Sequence, residues 1–195
     1  MEEGNIDEDS RKALSETVES CKIAYEHLNK THGLAKIQNL NIRVASFINI
    51  VNNVLQLREK ELCDCRINVI NESTVGQCLM DEFYMEKVVD NLIINAYESY
   101  QRKNKKEKYI NITIKDNNGF VRLEIQDGGS GIDKQELDKV FEPFYSSKKS
   151  VTNWGVGLSY SYQIIKLHNG EIVAESELEK GSTFTVVLPA YYNIL

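Results

Sequence analysis

From Ile110 to Ile125 the chain alternates strictly. Ile110, Ile112 and Ile114 share one face of a strand, and Val121, Leu123 and Ile125 share one face of the next. Successive strand side chains point to opposite faces, so each run has one apolar and one polar side. Between them Asn117-Asn118-Gly119 is a hairpin signal, because Asn and Gly accept the positive φ that a tight turn needs. The end of the chain repeats the pattern with Ile172/Ala174 and Phe184/Val186/Leu188 joined across Glu179-Lys180-Gly181. Arg66-Ile67-Asn68-Val69-Ile70 reads as one more short strand.

Helical spacing occupies the rest. Leu14, Val18, Cys21, Tyr25 and Leu28 form an apolar seam in steps of four and three, interrupted at Gly33 and continued by Ile37 and Leu40. Val44, Phe47, Ile48, Val51, Val54 and Leu55 form a second helical pattern, and residues 82–100 a third. A short helix is expected over 133–141, where Asp133 and Glu136 make a capping box, and another over 158–168. Helices segregated from hairpin-joined strands predict an α/β (α+β) two-layer sandwich. Its sheet is mixed and mostly antiparallel, packed under helices and preceded by a partial N-terminal helix. A doubly wound parallel sheet does not fit, because strands and helices do not alternate.

Composition narrows the function classes. With 42% hydrophobic and 27% charged residues the chain is an ordinary globular protein. No apolar run is long enough to span a membrane, and the acidic start Met1-Glu2-Glu3-Gly4 has the wrong composition for a signal peptide. A net charge of −6 argues against nucleic-acid binding by the surface as a whole. Cys21, Cys63, Cys65 and Cys78 form no CxxC pair, as expected of reduced thiols in a cytoplasmic protein. The basic run 102–108 reads as a solvated helix end.

The helix over 82–100 carries a polar stripe. At about 100° per residue, Lys87, Asn91, Asn95 and Glu98 fall within roughly 80° of one another. Two asparagines four apart, flanked by isoleucines, are poor helix formers whose amides need partners. Either they cap neighbouring loops or face water, or Asn95 offers its carbonyl oxygen to a hard cation such as Mg²⁺.

Three glycine-containing loops follow. Asp127-Gly128-Gly129-Ser130-Gly131-Ile132 begins at a strand end and suits a pocket where backbone approaches a flat ligand and a carboxylate accepts from an exocyclic amine. Phe141-Glu142-Pro143-Phe144-Tyr145-Ser146-Ser147-Lys148 sets aromatics around a proline and presents Lys148 to anions. Asn153-Trp154-Gly155-Val156-Gly157-Leu158-Ser159 opens a helix, a natural phosphate cradle, although neither a P-loop nor a Rossmann fingerprint is present.

Asn91-x-x-x-Asn95, Asp127-x-Gly129-x-Gly131, Phe141-x-Pro143-Phe144 and Gly155-x-Gly157-Leu158, in this order, resemble the N, G1, F and G2 boxes of sensor histidine kinases. These belong to the ATPase group that includes gyrase, heat-shock chaperones and mismatch-repair proteins. The resemblance covers roughly 41–195 and implies a Bergerat-type ATP-binding fold with ATP and Mg²⁺ as cofactors. It implies that Asn95 ligates the metal, Asn91 supports the phosphates and Asp127 reads adenine, with Gly129, Gly131 and Ile132 beside the base. Gly155, Val156, Gly157 and Leu158 would close the phosphate side, Lys148 would reach the γ-phosphate, and residues 133–154 would form a short lid. Ser182 would support the adenine side, and His168 would be structural. Where hydrolysing relatives carry a glutamate base, this chain has Asn91, which favours phosphoryl transfer. Glu98 departs from the lysine of many kinases.

The same resemblance calls for a phosphoacceptor histidine. Upstream stand only His27 and His32, with no proline before Pro143. The 13 residues 28–40 are too few to complete a helical hairpin after His27. Residues 1–9 are therefore expected to be a frayed tail, 10–40 the end of a dimerisation region, and 41–195 the catalytic domain. The acceptor helix is expected on a dimerisation domain outside this chain, within a homodimeric parent that passes the phosphoryl group to a response regulator receiver domain. No nucleic-acid partner or direct membrane contact by this segment is expected. The alternatives are a nucleotide-sensing module without phosphotransfer and a serine kinase of the anti-sigma type.

Overall fold

The computed structural model describes residues 15–18, 20, 39–102, 107–145 and 155–192. In chain order the elements are β1 Arg43–Ser46, α1 Phe47–Leu57, β2 Cys65–Asn71, β3 Gln77–Met80 and α2 Glu82–Glu98. A 3₁₀ turn Ser99–Arg102 follows, then β4 Lys108–Asn117, β5 Phe120–Asp127, α3 Lys134–Leu137, α4 Gly157–Leu167, β6 Glu171–Glu177 and β7 Gly181–Pro189. The frayed tail, most of the N-terminal seam, His27, His32 and Lys148 lie outside the described residues. Residues 15–18 and 20 are helical, as the seam requires.

The hairpin forms where alternation placed it. Asn118 and Gly119 turn with φ of 48° and 85°, and Asn117 pairs with Phe120. The five-stranded sheet has the order β2-β4-β5-β7-β6, with β2 parallel to β4 and every other pair antiparallel. One face receives Ile110, Ile112, Ile114, Val121, Leu123, Ile125, Ile172, Phe184, Val186 and Leu188. Against it pack Phe47, Ile50, Val51 and Val54 of α1, Met85 to Ala96 of α2, and Ile164 and Ile165 of α4. Burying each large side chain is worth about 1.5–3 kcal/mol, so this single interface dominates stability.

Two local expectations are corrected. Val44 does not belong to a helical seam. It lies on β1 opposite Leu79 of β3, and the helix begins only at Phe47 after the extended Ser46. Four residues are too few for alternation to show against a helical pattern that starts three residues later. The helix expected over 133–141 is one turn, Lys134–Leu137. Asp133 caps it by accepting from Gln135 N–H at 2.9 Å.

A buried polar group joins α2 to α4. His168 Nε2 accepts the Asp81 N–H at 2.9 Å and its Nδ1 lies 2.7 Å from the Ile164 carbonyl, which fixes the neutral tautomer with the proton on Nδ1. Asp81 caps α2 through Tyr84 N–H and also accepts the Asn41 N–H at 2.7 Å. His168 is thus a structural residue, as expected.

Candidate functional site

The polar stripe of α2 lies at the edge of the core. Asn91, Asn95 and Glu98 are half-buried, whereas Val88, Val89, Leu92, Ile93 and Ala96 are fully buried. Asn91 Nδ2 donates to Ser161 Oγ at 3.0 Å, and Ser161 donates to the Gly157 carbonyl at 3.0 Å. Gly157 rests directly on this asparagine, since a Cβ there would lie 3.0 Å from Asn91 Cγ and closer still to Oδ1. One turn further along α2, the Asn95 side chain makes no hydrogen bond among the described residues.

Helix α4 opens without a side-chain cap at Val156. The first turn therefore directs the Gly157, Leu158 and Ser159 amides outward, where N–H groups and the helix dipole favour an anion. Gly155 adopts φ 67°, and its carbonyl accepts the Phe144 N–H at 3.1 Å. The aromatic-proline segment and the glycine pair thus meet at a stem.

At the C-terminal end of α2 sits the strand-end loop. Asp127, 3% exposed, accepts at Oδ1 from Gly129 N–H and from Ser99 Oγ, each at 2.8 Å. Tyr100 is 1% exposed and its hydroxyl is fully used. It donates to the Tyr109 carbonyl at 2.8 Å and accepts from Tyr109 N–H at 3.2 Å and Gly128 N–H at 2.7 Å. Burial pushes the Tyr100 phenol above its ordinary range. Gly131, at φ 66°, packs on the Glu177 backbone. Ile132 N–H donates to Ser176 Oγ at 2.8 Å, and Ser176 donates to the Gly181 carbonyl at 2.8 Å. With that proton committed, Ser182 Oγ, 3.0 Å away, donates to Ser176.

Two groupings emerge. Asn91, Val156, Gly157 and Leu158 meet at the middle of α2, and Asp127, Gly129, Gly131, Ile132 and Ser182 cluster at its C-terminal end. By helix rise, Asn91 and Ser99 stand about 12 Å apart along the axis, with Asn95 midway. Ser99, Tyr100, Tyr109, Ser161 and Ser176 were not singled out in the sequence. The hydroxyls of Ser99, Tyr100, Ser161 and Ser176 each bond a residue well separated in the chain, Tyr109 takes part through its backbone, and only Ser99, one residue past the helix, carried a local hint as a capping residue. No group of three His, Cys, Asp or Glu residues able to hold a metal occurs among the described residues.

Residues 80–192, more than half of the chain, match the family model described as histidine kinase-, DNA gyrase B- and HSP90-like ATPase. The chain belongs to this family of ATPases. Its relatives are sensor kinases. Sensor protein RprX of Bacteroides fragilis is 36% identical over 126 residues, which is 63% of this chain and 24% of RprX. Sporulation kinase C of Bacillus subtilis is 32% identical over 161 residues, 82% of this chain and 34% of that kinase. The chain therefore spans about a quarter to a third of the length of these relatives. Among solved structures, the nucleotide-free catalytic domain of histidine kinase ThkA shares the fold with a TM-score of 0.67 at 23% identity, covering 77% of this chain and 97% of that domain. The complex of ThkA with response regulator protein TrrA aligns with a TM-score of 0.69 at 19% identity, covering 98% of this chain and 53% of that chain.

Proposed function

We infer that this chain is the ATP-binding catalytic part of a cytoplasmic sensor histidine kinase segment. It transfers the γ-phosphoryl group to a histidine on a dimerisation domain, from which a response regulator receiver domain takes it. The observation that carries the reading is the span of α2. Its middle, at Asn91, touches the first turn of α4, and its C-terminal end, at Ser99, touches the buried Asp127 carboxylate. A ligand with a phosphate tail and an amino-bearing base matches both contacts at once.

In this reading Asp127 accepts from the adenine amino group, with Gly129, Gly131 and Ile132 beside the ring and Ser182 supporting the loop through Ser176. The amides of Gly157 and Leu158, with Gly155 and Val156 shaping the turn, receive the phosphates, and Asn91 holds that turn in place. Lys148 serves the γ-phosphate. Asn95, whose amide is uncommitted among the described residues, fits a Mg²⁺ ligand. That ion would supply charge neutralisation on the phosphates. Catalysis is then largely positioning, with amide and lysine donors stabilising charge as the γ-phosphoryl group passes in line to an imidazole nitrogen. Residues 10–40 act as the end of the dimerisation region of a homodimeric parent, and no helix among the described residues is long and apolar enough to cross a membrane.

The test is calorimetric titration of Mg-ATP into the chain and its Asp127→Asn variant, followed by incubation with a purified histidine-bearing dimerisation domain and radiolabelled ATP. Saturable binding weakened by the substitution, then acid-labile label on the acceptor domain, is expected. Absence of binding at millimolar nucleotide refutes the reading, and binding without transfer leaves a nucleotide-sensing module.

A further inference from the structure

The turn that ends α2 grips the strand-end loop at two amides, and a third amide of the loop closes on the loop's own aspartate. Gly128 N–H goes to the Tyr100 hydroxyl, Gly129 N–H to Asp127 Oδ1, and Ser130 N–H to the Ser99 carbonyl at 3.1 Å. The backbone of the loop is therefore held without any help from the Ser99 side chain. That side chain does something else. Its hydroxyl lies 2.8 Å from Asp127 Oδ1 and 2.7 Å from the Ala96 carbonyl, with one proton to share between them. Two donors, Ser99 Oγ–H and Gly129 N–H, can converge on the same carboxylate oxygen, which fixes the plane of the carboxylate. Space is matched to this arrangement. A Cβ at Gly129 would fall 2.5 Å from Ser99 Cβ and nearer still to its Oγ, so glycine at 129 is what lets the serine approach.

We propose that Ser99 is a specificity-determining positioning residue that orients the Asp127 carboxylate toward the amino group of the purine. The inference rests on the reading of Asp127 as the group that recognises the base. An alanine at 99 removes one donor from the carboxylate and keeps the two amide anchors to the turn, Gly128 N–H to the Tyr100 hydroxyl and Ser130 N–H to the residue 99 carbonyl. The loop stays where it is while the carboxylate gains rotational freedom. The consequence is a loss confined to ligands that carry the amino group.

The experiment is calorimetric titration of the chain with Mg-ATP and with the purine riboside triphosphate that lacks the 6-amino group. It uses the parent, Ser99→Ala, Asp127→Asn and the double variant, with thermal melts alongside. Ser99→Ala should weaken ATP by about fivefold to tenfold and leave the analogue within about twofold. On the Asp127→Asn background it should change neither, because the two residues act as one unit. Equal weakening of both nucleotides by Ser99→Ala, or an undiminished effect on the Asp127→Asn background, overturns the role of Ser99 while base recognition by Asp127 stands. Equal losses of both nucleotides on Asp127→Asn alone remove base recognition and the Ser99 role with it. Should Ser99→Ala fail to fold, Ser99→Cys keeps a weak donor of similar size. It should then show an intermediate, ATP-selective loss, and a loss shared by both nucleotides counts against the proposal.

Discussion

Gly157→Ala isolates the junction between α2 and α4. In an open helix first turn, replacing Gly by Ala stabilises by about 0.5 kcal/mol, since Gly gives up more backbone entropy on folding. Here the three atoms nearest the added Cβ all belong to Asn91, with Cγ at 3.0 Å, Nδ2 at 3.2 Å and Oδ1 closer still. Accommodating the methyl requires Asn91 to turn away, which gives up its hydrogen bond to Ser161, a loss of about 1 kcal/mol. The net expectation is a destabilisation of about 0.5 kcal/mol. With Asn91→Ala as background the obstruction disappears, and the same Gly157→Ala substitution should now stabilise by about 0.5 kcal/mol. The sign therefore reverses, with a coupling of about 1 kcal/mol between the two sites. Thermal and urea melts of the parent, both single variants and the double variant measure it. In a protein of this size the reversal corresponds to a swing of about 2–4 °C in Tm. Additive effects, with Gly157→Ala destabilising equally on both backgrounds, refute the contact as the reason for glycine at 157.

Three further outcomes follow from single groups. Asn95→Ala should leave the melting temperature within about 1 °C, because its amide makes no hydrogen bond among the described residues. It should also remove the dependence of ATP affinity on Mg²⁺, read by titration with and without the metal. His168→Phe leaves the buried Asp81 N–H without its acceptor and should cost about 1–3 kcal/mol in urea unfolding, with nucleotide affinity in the folded state unchanged. Asp116 is held down at about 2 although burial alone would raise it, because Ser73 Oγ, Thr74 Oγ1 and the Thr74 and Val75 amides all donate to its carboxylate. A depressed folded-state value means stability present above the ordinary carboxylate range and lost as pH falls toward 2. Asp116→Asn should therefore lower stability by about 1 kcal/mol at pH 7, a figure reduced for solvent screening, and the gap to the parent should close between pH 4 and pH 2.

The elements legible in the sequence are those whose signal is local and repeated. Ile110 to Ile125 announced a hairpin because two alternating runs flank an Asn-Gly turn, and the stripe on α2 showed because four polar residues recur at helical spacing. β1 and β3 did not show. Each has four residues, and Val44 is exposed opposite Leu79, so its placement is decided by the partner strand and not by its own neighbours. The site divides in the same way. Asp127, Gly129, Gly131 and Gly157 were visible because the glycine-containing loops follow the asparagine pair in a fixed order and spacing, although each loop alone is ordinary turn chemistry. Ser99, Ser161 and Ser176 were not, because a serine hydroxyl acquires its meaning from a partner: Asp127 lies 28 residues from Ser99, and Asn91 lies 70 residues from Ser161. Lys148 stands on its sequence context alone.

The arrangement around Asn91 bears on why this position carries an amide. Ser161 spends its proton on the Gly157 carbonyl, so its remaining lone pairs can only accept, and the Asn91 side chain supplies the N–H they accept. A glutamate at 91 could act as a base toward water, but ionised it has no proton to give Ser161. The serine would then have to swing its own proton from Gly157 to the carboxylate, giving up its side-chain bond to that carbonyl. Gaining a base would in this way weaken the junction that holds α4 against α2. An asparagine keeps α2 and α4 locked together and offers water no base. Under the function proposed above, that is the balance a phosphoryl-transfer enzyme needs when its acceptor is a histidine and hydrolysis is a loss.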